Sequence, residues 1–168
     1  MDRIVPLNLA LHDRKSFTNK EESIARYLHQ QAAQDVKRGY ARIYILAATD
    51  NPARIAGYMS LNAHAIDTTT YPPEIRKIFG SRRIVPLIEL GRLGVDTSCE
   101  GQGIGKALVF YAIQLMATNS AGAAGLLVKA LNPGLIGYYE KLGFTLVPGD
   151  QDYLFLDRRI AELMPGEG

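Results

Sequence analysis

Seven residues, Glu100-Gly101-Gln102-Gly103-Ile104-Gly105-Lys106, stand between a run that reads as a strand and a run that reads as a helix. Arg83 to Val95 is the strand candidate, although Pro86 requires an edge position or an irregular start. Lys106 to Thr118 sets Leu108, Ala112, Leu115 and Met116 on one side of a helix. Glycine lets a ligand approach the main chain without a Cβ in the way. A strand-to-helix turn of this kind leaves several backbone N–H groups unpaired and aims the positive end of the helix dipole outward. It is therefore either a phosphate cradle or a bare glycine turn.

The flanking segments extend the pattern. Gly125 to Ala130 reads as a short buried strand. Asn132 can cap the next helix, with Pro133 at its first position and Gly143 at a left-handed stop. Phe144 to Val147 and Tyr153 to Asp157 look like a closing pair of strands around Pro148-Gly149-Asp150. Upstream, Thr18 and Asn19 followed by Glu21 and Glu22 signal a helix start. The spacing of Ile24, Tyr27, Leu28, Ala32 and Val36 predicts one amphipathic helix from Lys20 to Arg38, ended by Gly39. Ala41 to Thr49 and Arg54 to Asn62 read as strands joined by the turn Asp50-Asn51-Pro52-Ala53. Tyr71-Pro72-Pro73 opens a polar, basic connection through Gly80. The whole predicts an α/β (α+β layered) fold with a mixed sheet, mostly antiparallel in its first half.

Length and composition bound what such a chain can be. With 168 residues, 47% hydrophobic and 21% charged, it is expected to form one domain over 1–168 with a real core. This excludes a disordered tail, a collagen-like rod and a coiled coil. A formal charge of +2 excludes a polycation, so any nucleic-acid contact needs a local patch. Basic clusters occur at Arg76, Lys77, Arg82, Arg83 and Arg92, at Arg14-Lys15, and at Lys37-Arg38 with Arg42. The stretch from Thr145 onward is acidic, with Asp150, Asp152, Asp157, Glu162 and Glu167. These clusters are either solvated faces or the seat of a polyanionic substrate. The single cysteine, Cys99, forbids an internal disulfide and suits a reducing cytosol. No apolar segment approaches the ~7–15 residues of a signal core or the ~20 of a membrane span. The expected location is the cytoplasm, with no membrane partner. His12, His29 and His64 have no metal-ligand spacing among themselves or with Cys99, so no metal is expected. Cys99 lacks a nearby histidine motif, which disfavours an acyl-cysteine intermediate.

Two nucleotide-loop readings of the glycine turn fail. A Walker A loop requires glycine where Glu100 stands and Ser or Thr where Ala107 stands. A dinucleotide fingerprint beginning at Gly101 or Gly103 requires glycine at Lys106 or Leu108.

Three segments in order, Leu90-Gly91-Arg92-Leu93-Gly94-Val95-Asp96, Gly101 to Leu108, and Asn132 through Tyr138-Tyr139-Glu140-Lys141-Leu142-Gly143-Phe144, resemble the GNAT superfamily of N-acetyltransferases. The resemblance covers roughly the second half of the chain. It implies a mixed, mostly antiparallel sheet flanked by helices, whose splayed central strands hold acetyl-CoA. In that family the loop begins with Arg or Gln, followed after two residues by Gly, any residue, and Gly or Ala. Gly103 and Gly105 match, and Glu100 replaces the leading residue.

Carried onto this chain, the resemblance implies that amides of Gly101, Gln102, Gly103, Ile104, Gly105 and Lys106 hold the coenzyme diphosphate, with Lys106 adding charge. Leu93, Gly94 and Val95 would offer main-chain groups to the pantetheine arm, as an added strand does. Asn132 would cap its helix, alone or while touching that arm. Tyr139 matches the family's general acid; a phenol near pKa 10 beside a thiol near 8.5 is a competent donor to the leaving thiolate. Its alternative is a core tyrosine with a satisfied hydroxyl. Tyr138 points about 100° away on a helix and reads as a packing aromatic. Glu89 is either a general base, an exposed strand residue or an ion-pair partner.

The first half narrows the resemblance. His12-Asp13-Arg14-Lys15-Ser16-Phe17, Glu21 to Leu28, Ile55-Ala56-Gly57-Tyr58-Met59-Ser60-Leu61 and Val85-Pro86 are similar to the acetyltransferase toxins of bacterial type II toxin–antitoxin pairs. These acetylate the α-amine of aminoacyl-tRNA, are commonly dimeric, and are neutralised by a ribbon-helix-helix antitoxin. One departure stands out: Asn19-Lys20 occupies the place of the usual Cys-Gly. The implied function is acetyl-CoA-dependent N-acetyl transfer that blocks translation. A small-molecule amine, a protein N-terminus, or a non-catalytic CoA-binding module are the alternatives.

Overall fold

The structure is a computed structural model that describes residues 3–119 and 121–164. The outer limits of the expected 1–168 domain, and Glu167 of the acidic stretch, lie outside the described residues. Seven strands form one sheet in the order β1-β2-β3-β4-β5-β7-β6. They are β1 (Ile4–Pro6), β2 (Arg42–Ala47), β3 (Ile55–Asp67), β4 (Ile84–Val95), β5 (Gly125–Lys129), β6 (Thr145–Leu146) and β7 (Tyr153–Asp157). β4 and β5 run parallel, while β1–β2, β2–β3, β5–β7 and β6–β7 are antiparallel. The helices are α1 (Glu22–Gln30), α2 (Ala32–Arg38), α3 (Arg76–Phe79), α4 (Ile104–Ala117), α5 (Gly134–Lys141) and α6 (Arg158–Ala161). The mixed, mostly antiparallel α/β architecture matches the expectation.

The chain divides into two compact units, Met1–Asn62 with Gly91–Ala112 and Ala63–Leu90 with Ile113–Gly168. In the first, alternation along β2 decides which layer each side chain joins. Ile43 and Ile45 enter a buried cluster with Ile24 and Leu28 of α1 and with Ile55 and Tyr58 of β3. Tyr44, between them, meets Tyr111 of α4 edge-to-face at 5.6 Å. The β2–β3 pair therefore carries α1 on one face and α4 on the other. At Gly57 of β3 the helix α4 packs close: a Cβ there would lie 2.6 Å from Ile104 and 3.1 Å from Leu108.

In the second unit, Ile66, Val85, Leu87, Leu127 and Phe155 form a cluster with Ile75 and Val147. Phe79 of α3 packs edge-to-face on Phe155, with centroids 4.8 Å apart. The β4–β5 register runs from Ile88 opposite Leu126 to Leu90 opposite Val128.

Three expectations need correction and one is narrowed. The single helix from Lys20 to Arg38 is two helices, because the backbone breaks at Gln31 (φ −114°, ψ −33°). The apolar spacing runs through the break, so periodicity did not expose it. Leu28 and Ala32, on either side, are both fully buried, and Tyr27 donates to Asp35 at 2.8 Å across the bend. Of the two readings of Pro86, an edge position or an irregular start, the edge is excluded, since β4 is fourth of seven strands. It sits two residues before the β5 register begins, so its missing N–H falls outside that pairing, and its carbonyl accepts from Ala124 at 2.8 Å. The basic connection after Pro73 holds a helical turn, α3, and Tyr153–Asp157 leads directly into α6. Asn132 does not cap α5 with its side chain: Pro133 is the cap residue, and Asn132 contributes its carbonyl to Leu135 at 3.1 Å. Gly143, at φ +99°, does make the left-handed stop.

Candidate active site

In the first unit, β4 ends at Val95 and hands the chain to Asp96, a short 3-10 turn (Thr97–Cys99) and the glycine turn. Gly101 (φ +76°) and Gly103 (φ +75°) are left-handed, and a Cβ on either would meet nothing within 4 Å. Their conformation, not crowding, requires glycine there. The N–H of Ala107 bonds to the carbonyl of Gly103 at 3.0 Å. The amides that precede it at the start of α4 have no intrahelical acceptor and face outward, the geometry that suits an anion. Lys106 leans its ammonium over the ring of Phe110 at 5.5 Å. A cavity of about 460 Å³ beside the turn is lined by Arg3, Arg54, Ser98, Cys99, Gln102 and Ile104, among others.

Leu93 and Val95 are half-buried and Gly94 is buried. A Cβ on Gly94 would press on Ile24 of α1 and lie 3.3 Å from the Asn19 amide. What lies alongside this strand left no mark in the sequence. The lead-in to α1 is fastened to the strand end and the turn residue by residue. Asp96 accepts from the Thr18 N–H at 2.8 Å, and Thr18 accepts in turn from the Thr97 N–H at 3.1 Å. Asn19 donates to the Val95 carbonyl at 2.8 Å, and Lys20 pairs with Glu100 at 2.7 Å. Burial opposes the charge of Asp96, but hydrogen bonds from Ser98 and Thr18 outweigh it and hold its carboxyl below the ordinary carboxylate range. Partners 76 to 80 residues apart leave no spacing signal.

In the second unit, α5 carries both tyrosines. Tyr139 is only 4% exposed, with Phe144 edge-to-face at 5.7 Å and Tyr138 at 5.3 Å. Burial, then the neighbouring Tyr138, push its phenol well above the ordinary tyrosine value, so it stays protonated at neutral pH. Its hydroxyl has no hydrogen-bond partner among the described residues, where no sealed side-chain polar atom is left unpaired. That hydroxyl is therefore not sealed off from solvent. Tyr138 is half-buried and packs as expected. Asn132 is exposed.

Glu89 is no free strand residue. Its Oε2 lies 3.1 Å from His64 Nδ1, and the Tyr153 hydroxyl donates to Oε1 at 3.5 Å. Burial and then the Glu89 charge raise the Tyr153 phenol. His64 and Tyr153 carried no signal in the sequence as neighbours of Glu89. Arg92, grouped by sequence with the basic run, is engaged elsewhere: it is half-buried, with its guanidinium 5.0 Å over the Tyr27 ring. Arg76, Lys77, Arg82 and Arg83 are exposed, Arg83 at 3.3 Å from Asp67. Among the described residues no group of three or more His, Cys, Asp or Glu could hold a metal, and no helix is long and apolar enough to cross a membrane.

The structure thus brings Leu93–Val95 and Gly101–Lys106 together in one unit, and places Asn132, Tyr139 and Glu89 in the other. Comparison with known proteins bears on both. The sequence pattern of the acetyltransferase (GNAT) family matches residues 12–144. A tRNA-acetylating toxin of Mycobacterium tuberculosis is 29% identical over 157 residues, spanning 92% of each chain. The structure of AtaT complexed with acetyl-methionyl-tRNAfMet superimposes with a TM-score of 0.84 at 28% identity, covering 95% of this chain and 96% of that one. AtaTR bound with acetyl-CoA gives 0.78 at 28% identity, covering 97% and 98%.

Proposed function

The chain belongs to the acetyltransferase (GNAT) family, and on that premise we propose that it transfers acetyl from acetyl-CoA to the α-amine of an aminoacyl-tRNA, acting as a translation-blocking toxin. One observation carries the choice of acceptor: the likeness to a tRNA-acetylating toxin runs along 92% of the chain, through the first half as well as the donor-binding half.

The chemistry assigns each part a task. Acetyl-CoA supplies an activated thioester. The amides of residues 101–106 bind its diphosphate, and the main chain of Leu93, Gly94 and Val95 aligns the pantetheine arm. The neutral amine attacks the thioester carbonyl, forming the C–N bond. The tetrahedral intermediate then collapses with loss of the C–S bond. Tyr139, protonated and with its hydroxyl unpaired among the described residues, delivers its proton to the departing thiolate, and the amine's surplus proton leaves to water. An α-amine near pKa 7.7–8.0 has a sizeable neutral fraction at physiological pH, so a strong base is unnecessary. This suits a Glu89 already engaged by His64 and Tyr153. Asn132, exposed and free of capping duty, is available to the arm.

The reading includes one catalytic domain over 1–168, a homodimeric assembly, a ribbon-helix-helix antitoxin as partner, and action in the cytoplasm, where charged tRNA resides. Mass spectrometry after offering charged tRNA, free small amines and N-terminal peptides in parallel tests it. The expected product is N-acetyl-aminoacyl-tRNA. Acetylation of only the small amines or peptides would move the acceptor assignment. Absence of thiol release with every amine would leave a CoA-binding module instead.

A further inference from the structure

Two departures, Asn19-Lys20 from the toxin pattern and Glu100 from the GNAT loop pattern, meet in space through Lys20 and Glu100, 80 residues apart. The Lys20 ammonium lies 2.7 Å from Glu100 Oε2. Neither side chain is buried, at 78% and 40% exposure, so the contact adds little to folding stability. Its position is what matters. Glu100 immediately precedes the left-handed Gly101, at the mouth of the amides that open α4. A bare carboxylate there would repel a diphosphate and cancel part of the attraction of the helix start.

The backbone that leads to Lys20 is anchored residue by residue. The residues before it are fixed by the Thr18–Asp96 bonds, by the Thr18 hydroxyl 2.5 Å from that of Thr97, and by Asn19 bonding Val95. Asn19 Oδ1 accepts from the Glu21 N–H at 2.9 Å, which sets the backbone path of the segment. The lead-in to α1 is thereby built along the strand end and the turn, and delivers one cation to the carboxylate that heads the turn.

We infer that Lys20 is a positioning residue for the acyl donor: it neutralises Glu100 and keeps the glycine turn receptive to the coenzyme diphosphate. The inference rests on the acetyl-CoA reading of the site. With the pair intact, the two charges at the turn's mouth cancel and the amides govern binding. With Lys20 removed, an uncompensated negative charge faces an incoming dianion at a few ångströms, enough in water for about a tenfold loss of affinity. The effect acts on binding and not on the bond-making step.

The test is a double-mutant cycle on the full-length protein, reading the Kd for acetyl-CoA by calorimetry and KM against kcat by thiol release. Lys20→Ala should raise Kd and KM about tenfold while kcat moves less than about twofold, and Lys20→Arg should stay within about threefold of wild type. Glu100→Gln alone should bind at least as tightly as wild type. The double variant Lys20→Ala/Glu100→Gln should recover most of the loss, and the Lys20→Ala defect should shrink in high salt. Two results overturn the inference: a Lys20→Ala protein with wild-type KM, or a double variant no better than Lys20→Ala. Failure of wild-type protein to bind acetyl-CoA would instead overturn the acetyl-CoA reading itself.

Discussion

Asp96 accepts two hydrogen bonds from Thr18, 78 residues away, one from its N–H at 2.8 Å and one from its hydroxyl at 3.2 Å. The same carboxylate takes the Ser98 N–H at 3.0 Å, so one buried side chain ties the start of α1 to the exit of β4. Buried carboxylates persist only where such donors replace water.

That arrangement makes a pH prediction with a definite sign. The folded-state pKa of Asp96 is depressed, so the unfolded chain binds its proton more readily. Its contribution is present above the unfolded value, near 3.9, and is lost as pH falls through the lower folded value. Asp96→Asn should cost about 1.5–3 kcal/mol at pH 7, as for hydrogen bonds to a charged group. Thermal unfolding across pH 7 to 2 should show the gap between variant and wild type closing at the acid end. A gap independent of pH would refute the assignment.

Tyr139→Phe removes one oxygen from a ring that Phe144 and Tyr138 hold in place. Fold and acetyl-CoA binding should survive, while kcat falls about 10²-fold or more, the usual scale for losing a general acid. Because burial keeps the phenol protonated, the wild-type rate should not decline through Tyr139 ionisation below about pH 10, the ordinary tyrosine value. Calorimetry together with a pH–rate profile checks both points. Full turnover by the variant would return Tyr139 to the core.

Gly57→Ala tests the seat of α4. The new methyl would lie 2.6 Å from Ile104, the first residue of that helix, and 3.2 Å from the Gly94 carbonyl. Overpacking of this kind costs about 1–3 kcal/mol. Denaturant melts should show that loss, and KM for the donor should rise because both neighbours lie in the segments proposed to bind it. Gly122→Ala, with open space around it, is the control and should change stability by less than about 0.5 kcal/mol.

The exposed run Arg76, Lys77, Arg82 and Arg83 offers a measurement of nucleic-acid binding. If these residues meet tRNA phosphates, replacing them by alanine should flatten the dependence of log KM on log salt by about 0.9 for each duplex phosphate no longer neutralised. Arg92→Ala, removed from a tyrosine face instead of a phosphate, should leave that slope as it was. An unaltered slope in the fourfold variant would identify the run as plain solvated surface.

The order of the elements was legible in the chain before any folding, because periodicity and turn residues are local signals. Gly143 announced a left-handed stop and is found at positive φ, whereas Gly101 and Gly103, read from sequence only as leaving room for a ligand, prove left-handed as well. The residues proposed for the chemistry, Tyr139 and the amides of the glycine turn, were likewise singled out through motifs contained in short stretches. Whom these residues meet was settled only by packing. Pro86 belongs to an interior strand, Gln31 breaks a helix whose apolar spacing runs on, Asn132 is no side-chain cap, and Arg92 stacks on Tyr27. The pairing of Lys20 with Glu100, and of His64 and Tyr153 with Glu89, joins residues distant along the chain. Local spacing carries no information about such meetings, since only packing around a shared core brings those side chains within hydrogen-bond reach.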